Sequence, residues 1–453
     1  MKLFFPTMFS GSDWLNDVLI DIDKNGIIKS LVSEAKSSDA DEIFSGTCLP
    51  GMPNLHSHAF QRAMAGLSEI AGSGENNFWT WQKVMYEFLT KLTPEDVEAI
   101  ASQLYLEMLK GGFTSVAEFH YLHNDKNGDQ FENPSEMSDR IFAAANQTGI
   151  GLTHLPVLYA HGGFGALAPQ EGQKRFLQNV NQFQLLLEKL NKRYGNDNQR
   201  RIGMALHSLR AVSPGMIKDA IALMSEEPIH IHIAEQIKEV DQCVDWSGQR
   251  PVEWLLENTN VDKRWCLIHA THMTDAEINA LAKTSAAVGL CPTTEANLGD
   301  GLFPLEKFMR QKGKIGIGSD SNTSVDVAEE LRLLEYGQRL NQKRRNIGAS
   351  SEGDSTGETL FKASLAGGSQ ALDQPIGSLS PGHRADLIVL NNQHPVLLGR
   401  TGSAIIDSWI FTGGRELISD VFVAGQHLVK KHCHVRQENI ERRYRETIKS
   451  LTN

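Results

Sequence analysis

The sequence predicts an α/β protein: a (β/α)8 TIM-type barrel with a small flanking β-sandwich built from the N- and C-terminal segments. Three observations carry this. Eight short apolar runs recur through the middle of the chain, several of them separated by segments of helical period. Strand-like runs without that rhythm occupy both ends. And several of the eight runs finish on His, Asp or Glu, at the strand ends where a barrel of this kind gathers its chemistry. A doubly wound open sheet is the rival arrangement.

In chain order, the first 47 residues read as short strands, with Lys24-Asn25-Gly26 a hairpin turn after Val18–Asp23. The apolar runs are Cys48–Leu55, Thr114–Phe119, Gly151–Leu158 and Ile202–Leu206, followed by Ile229–Ile233, Trp265–His269, Ala286–Leu290 and Ile315–Ile317. Between them lie helix signals. Thr93-Pro94-Glu95-Asp96 is an N-cap with proline and acids in the first turn, and the helix it opens stops at Gly111-Gly112. Ser213-Pro214 opens another, Thr274 to Glu277 reads as a capping box, and Val325–Leu340 carries helical spacing. Three polar stretches interrupt the repeat: Ser68–Tyr86, expected as an extended loop serving as lid or subunit contact, Asn124–Ser135, and the turn Gly348–Gly357. After residue 376 strands return without helices, at Ala385–Leu390 and Val421–Gln426, before a charged helical tail, Arg436–Leu451. The expected division is a barrel over 48–375 and a β-sandwich from 1–47 and 376–453.

Composition narrows the function. With 55 acidic against 44 basic residues the net charge is −11, which argues against a nucleic-acid surface. No run approaches a membrane span, and Ser10, Asp13 and Asn16 interrupt the start, so no signal peptide is expected. The five cysteines are scattered and form no Cys-x-x-Cys pair, which suits a reducing compartment, the cytoplasm.

The chemistry-bearing pattern begins at His56-Ser57-His58. Residues i and i+2 of a strand face the same side, so two imidazoles are offered to one point. Alone the pair is weak evidence. It gains weight from the other ends: His232 and Glu235 after the fifth run, His269 at the end of the sixth, and Asp320 after the eighth. His230 alternates with His232 and is expected to face the helices.

This set resembles the amidohydrolase superfamily, metal-dependent hydrolases with this barrel and flanking sandwich, and the resemblance spans nearly the whole chain. Within it the chain is similar to the formimidoylglutamate deiminase family. The stretches that carry this are Pro53–Gln61, Phe78–Trp81, Ala117–Tyr121, His207–Arg210 and Cys291–Gly301. The resemblance implies hydrolytic removal of ammonia from N-formimino-L-glutamate, in histidine degradation, by a homodimer. It implies one divalent metal ion, Zn2+ above iron or manganese, on His56, His58, His232 and Asp320. The run Met204–Ser208 lacks the lysine of binuclear relatives, so a mononuclear site is expected.

Catalysis would then fall to Glu235 as proton carrier, helped by His269 and Asp320. Gln61, Tyr121, His207 and Arg210 would contact a small, acidic, amino-acid-derived substrate, with Arg210 clamping a carboxylate. One departure stands out: Gln82 occupies a place where the family pattern has arginine.

Blander readings accompany each residue. His207 and Tyr121 suit packing at a barrel mouth, Arg210 suits a structural ion pair, and Trp79 and Trp81 suit a core or interface. His120, His123, His161 and His272 are expected to be structural or to support the ligands from behind, since four ligands are already assigned. The rival functions are another deaminase of the same scaffold acting on a nucleobase or nucleoside, and a non-catalytic barrel relative.

Overall fold

The structure, a computed structural model, describes residues 1–70, 78–195 and 199–452. Eight parallel strands form the barrel wall: Met52–Ser57, Phe113–His120, Gly151–Leu158, Met204–Ser208, Ile229–Ile233, Trp265–His269, Ala287–Leu290 and Lys314–Ile317. Their spatial order is their chain order. The strands are almost wholly buried, as befits a parallel sheet with helices outside and side chains filling the inside. The eighth strand closes on the first through backbone bonds. Asp320 N donates to His56 O and His58 N donates to Asp320 O, each at 3.0 Å. Closure therefore brings the Asp320 backbone against the His-x-His segment itself.

Helix starts follow the sequence signals. The Thr93 hydroxyl accepts from Asp96 N and caps Pro94–Lys110, and Thr274 caps Asp275–Ala282 through a capping box with Glu277. Three expectations need correction. Ser68–Tyr86 is not one extended loop: its last part begins the helix Phe78–Leu89, while residues 71–77 lie outside the described residues. The turn at Gly348–Gly357 leads into an unexpected helix, Thr356–Leu372. The C-terminal strands are also interrupted by the helix Ser403–Phe411.

The run Cys48–Leu55 is in fact two strands. Thr47–Pro50 pairs with Lys2–Phe9 and with Leu387–Leu390 in the flanking sheet, and Met52–Ser57 starts the barrel. Gly51 makes the change of direction. A Cβ there would lie 2.2 Å from Thr114 Cγ2, so no larger residue fits between the two sheets.

The flanking domain is a nine-stranded sheet from the two ends of the chain. Alternation lets one strand serve two cores: Leu387 and Val389 join Leu3, Phe5, Val18 and Ile20, while Ile388 and Leu390 face the main core. Buried Arg384 and Asp386 pair at 2.7 Å, and both reach Ser115 on the second barrel strand, tying sheet to barrel. The tail helix Gln437–Thr452 lies on Pro94–Lys110, with Arg443 donating to Glu98 at 3.0 Å. Among the described residues no helix is long and apolar enough to cross a membrane.

Candidate metal and active site

A cavity opens at the C-terminal ends of the barrel strands. His58, His232, Glu235, His269 and Asp320 line its floor, and Gln61, Tyr121, His207 and Arg210 line its wall. Gln82, Met85 and Tyr86 from the helix Phe78–Leu89 form part of the rim, with Tyr159 and Phe176 beside them. His56 stands just behind, fully buried.

His56, His58, His232 and Asp320 each direct one ligand atom to a common point, all within 4.8 Å of one another. His56 Nε2 and His232 Nε2 are 3.0 Å apart. Asp320 Oδ1 is 3.4 Å from His56 Nε2 and 3.3 Å from His58 Nε2. Second interactions orient these rings. His58 Nδ1 donates to Phe119 O and His232 Nδ1 donates to His207 O, both at 2.9 Å, which leaves each Nε2 bare. Burial, the chief cause, holds all three imidazoles below their usual range and so neutral. The bare Nε2 atoms of His58 and His232, the Nε2 of buried His56 and a carboxylate converge here, the donor set of a divalent ion with a free position. A second convergence, His269, Cys291 and Asp320, suits an ion less well, because burial pushes the Cys291 thiol well up and keeps it protonated.

Beside the donors sits a proton-handling pair. His269 Nε2 lies 3.8 Å from Glu235 Oε1 and 3.6 Å from Asp320 Oδ2. Burial raises the Glu235 carboxyl to about 7, with Asp320 adding to the effect and His269 and Arg210 opposing it. Burial pulls His269 down, but the Glu235 charge and the Glu295 hydrogen bond outweigh it, and the net shift is upward. A cation on the four donors would lower both groups. The backbone is strained at these points: Ala234, His269 and Asp320 are non-glycine residues with φ of 50°, 70° and 45°.

On the wall, Gln61 Nε2 donates to the Tyr121 hydroxyl at 2.8 Å, and Gln61 Oε1 is buried without a partner. The register of the fourth strand shifts between Leu206 and Ser208, a bulge that brings His207 into the cavity. Arg210 has no carboxylate within ion-pair distance among the described residues, and its Nε is buried without a partner. His230 turns outward and bonds Ala371 O at 2.9 Å; His272 bonds Asp300 O at 2.8 Å. His120 and His154 are buried side by side outside the cavity, their ring centroids 5.4 Å apart.

Two site residues escaped the sequence reading. Glu295, on the helix Pro292–Leu298, accepts from His269 Nδ1 at 3.2 Å and from Cys291 N at 2.9 Å, so it orients His269 and favours its charged form. Its stretch stood among those carrying the resemblance, but nothing in the spacing linked it to His269. Glu118, on the outer face of the second strand, accepts from Ala59 N at 2.6 Å and from the Tyr105 hydroxyl at 3.0 Å. It tethers the chain directly after His58.

Fold and site together are those of a barrel hydrolase with a metal centre, and residues 47–428 match the model of the amidohydrolase family. The chain belongs to that family. It is 49% identical over 439 residues, 97% of this chain and 96% of the other, to formimidoylglutamate deiminase of Pseudomonas aeruginosa. A crystal structure of an amidohydrolase from Brucella melitensis superposes with a TM-score of 0.96 at 44% identity, covering 100% of both chains. A more distant relative is 5-methylthioadenosine/S-adenosylhomocysteine deaminase of Natronomonas pharaonis, 27% identical over 84% of this chain and 81% of its own.

Proposed function

We propose that the chain hydrolyses N-formimino-L-glutamate to N-formyl-L-glutamate and ammonia. The observation that carries this is one cavity holding a metal-type donor set, the proton carrier Glu235, and Arg210, an arginine with no carboxylate partner among the described residues. The near-full-length similarity to formimidoylglutamate deiminase supports it. By the same resemblance we assign the reaction to histidine degradation and expect a homodimer.

His56, His58, His232 and Asp320 would hold one divalent ion, Zn2+ by the nitrogen-rich donor set. When bound, the ion supplies Lewis acidity that makes hydroxide available near neutral pH. Glu235 takes a proton from the attacking water as its oxygen adds to the formimino carbon. It then hands that proton to the terminal nitrogen of the protonated amidine as the carbon–nitrogen bond breaks and ammonia leaves, and takes up the remaining proton of the added oxygen as the formyl C=O forms, releasing it with the product as ammonium. His269, held by Glu295, donates toward the developing negative oxygen. Arg210 binds one carboxylate through its guanidinium, and Gln61, Tyr121 and His207 orient the amidine head.

The test is ammonia release by metal-loaded protein from N-formimino-L-glutamate, in competition with guanine, cytosine and adenosine derivatives. Turnover of the formimino compound with a clear preference is expected. Ammonia from the bases alone would move the chain to a nucleobase or nucleoside deaminase. Absence of activity on all of them, with well under one equivalent of transition metal bound, would favour the non-catalytic relative.

A further inference from the structure

A glutamyl substrate carries two carboxylates, but among the described residues lining the cavity Arg210 alone has a fixed positive charge. Gln82, at the rim, is neutral. A second cation reaches an aromatic ring that Arg210 also approaches. Lys238 sits in the first turn of the helix Ile237–Ser247, three residues after Glu235, and is exposed. Its Nζ stands 4.5 Å from the centre of the Trp79 ring, and the guanidinium carbon of Arg210 stands 5.6 Å from the same ring. The two cations are thus neighbours across one indole, separated by no more than the sum of those distances. Trp79 belongs to the helix that also gives the cavity Phe78, Trp81 and Gln82.

Two features set Lys238 apart from an ordinary surface lysine. No carboxylate lies within ion-pair distance of it among the described residues. It also stands at the positive end of a helix, where an ammonium disfavours the helix and an anion is favoured. A positive charge in that place is not there to stabilise its own helix. The indole holds its long, flexible stem on the ring that Arg210 also approaches.

We infer that Lys238, positioned by Trp79, binds the distal carboxylate of the substrate while Arg210 binds the nearer one. This rests on the function proposed above and names its second charged contact: it makes the site selective for a dicarboxylate although residue 82 is neutral. Lys238 neutralises the far carboxylate at the rim, where water reaches it, so its contribution is moderate and sensitive to salt.

The experiment compares wild type with Lys238→Met, which keeps the stem, and Lys238→Arg, which keeps the charge. The ratio of kcat/KM for N-formimino-L-glutamate over N-formimino-glycine, which lacks the distal carboxylate, should fall about 2- to 5-fold in Lys238→Met. The change should lie in KM, and Lys238→Arg should restore most of the ratio. Calorimetry with glutarate and butyrate on the metal-loaded proteins reads the same contact without turnover. Glutarate should weaken in Lys238→Met by a similar factor, and butyrate far less. An unchanged kcat/KM ratio with unchanged glutarate binding would overturn the inference while leaving the deiminase reading intact. Failure of the wild type to turn over either formimino compound would count against that reading, and glutarate binding would still decide the role of Lys238.

Discussion

Replacing Glu235 by glutamine isolates proton transfer from metal binding. The amide has nearly the volume of the carboxyl, so the buried site keeps its packing, and Glu235 N still donates to Glu239 at 3.1 Å. The magnitude follows from what else is available to carry a proton. Glu235 is 5% exposed, so bulk water does not take its place. His269, the nearest alternative, is held at Nδ1 by Glu295, and Asp320 Oδ2 lies 3.6 Å from its Nε2. Asp320 is occupied as a donor to the metal. With no substitute, the loss should reach the upper part of the usual range for a general acid–base, about 10³- to 10⁴-fold in kcat. That corresponds to about 4–5 kcal/mol on the barrier. Bound metal, measured by elemental analysis of the same preparation, should stay near the wild-type content. The acid limb of the pH profile of kcat/KM, set in the wild type by ionisation of Glu235, should disappear. A kcat within about tenfold of wild type would remove Glu235 from proton transfer, on the range just used. Parallel loss of metal would make it a ligand.

Three further outcomes follow from named contacts. Arg210→Met should raise KM for N-formimino-L-glutamate about 10- to 100-fold, the usual worth of a charged hydrogen-bonded contact, and steady-state kinetics check it. Glu118 is raised by burial from 4.5 to about 8, so the fold keeps its proton where the unfolded chain has lost it. Its stabilising contribution is complete below pH 4.5 and is lost as pH rises toward 8, at up to about 1.4 kcal/mol per pH unit. Glu118→Gln should therefore gain on the wild type in thermal or denaturant unfolding between pH 5 and 8, whereas a constant difference would mean the carboxyl is ionised throughout. Gly51→Val should destabilise by about 1–3 kcal/mol or more, because its Cβ meets Thr114, and unfolding midpoints measure this.

The barrel was legible because its signals are local. Short apolar runs mark strands buried on both faces, and Thr93, Ser213 and Thr274 announce their helices by their own capping side chains. Where local signals conflict with the fold, the reading failed. The helix Thr356–Leu372 carries Gly367 and Gly368 in its interior, which lowers helix propensity. They are needed because a Cβ on Gly367 would lie 1.9 Å from Ile315 O, so the helix packs directly on the eighth strand. Ser403–Phe411, rich in isoleucine and aromatics, reads as strand-like yet is held as a helix against Thr356–Leu372. The metal donors were legible for a different reason: each lies at or just beyond the end of a strand, so a correct strand count in a barrel already brings them together.

By itself the sequence determined the number and order of the barrel strands and the residue types at their ends. The side-chain period of a strand and the capping chemistry of a helix are properties of neighbouring residues. Only the tertiary structure decided which groups tune those ends. Glu295 on His269, Glu118 behind the His56–His58 segment, and Lys238 and Arg210 on Trp79 are contacts between elements distant in the chain. They exist because closing the eighth strand onto the first fixes the distances among loops that no local pattern specifies.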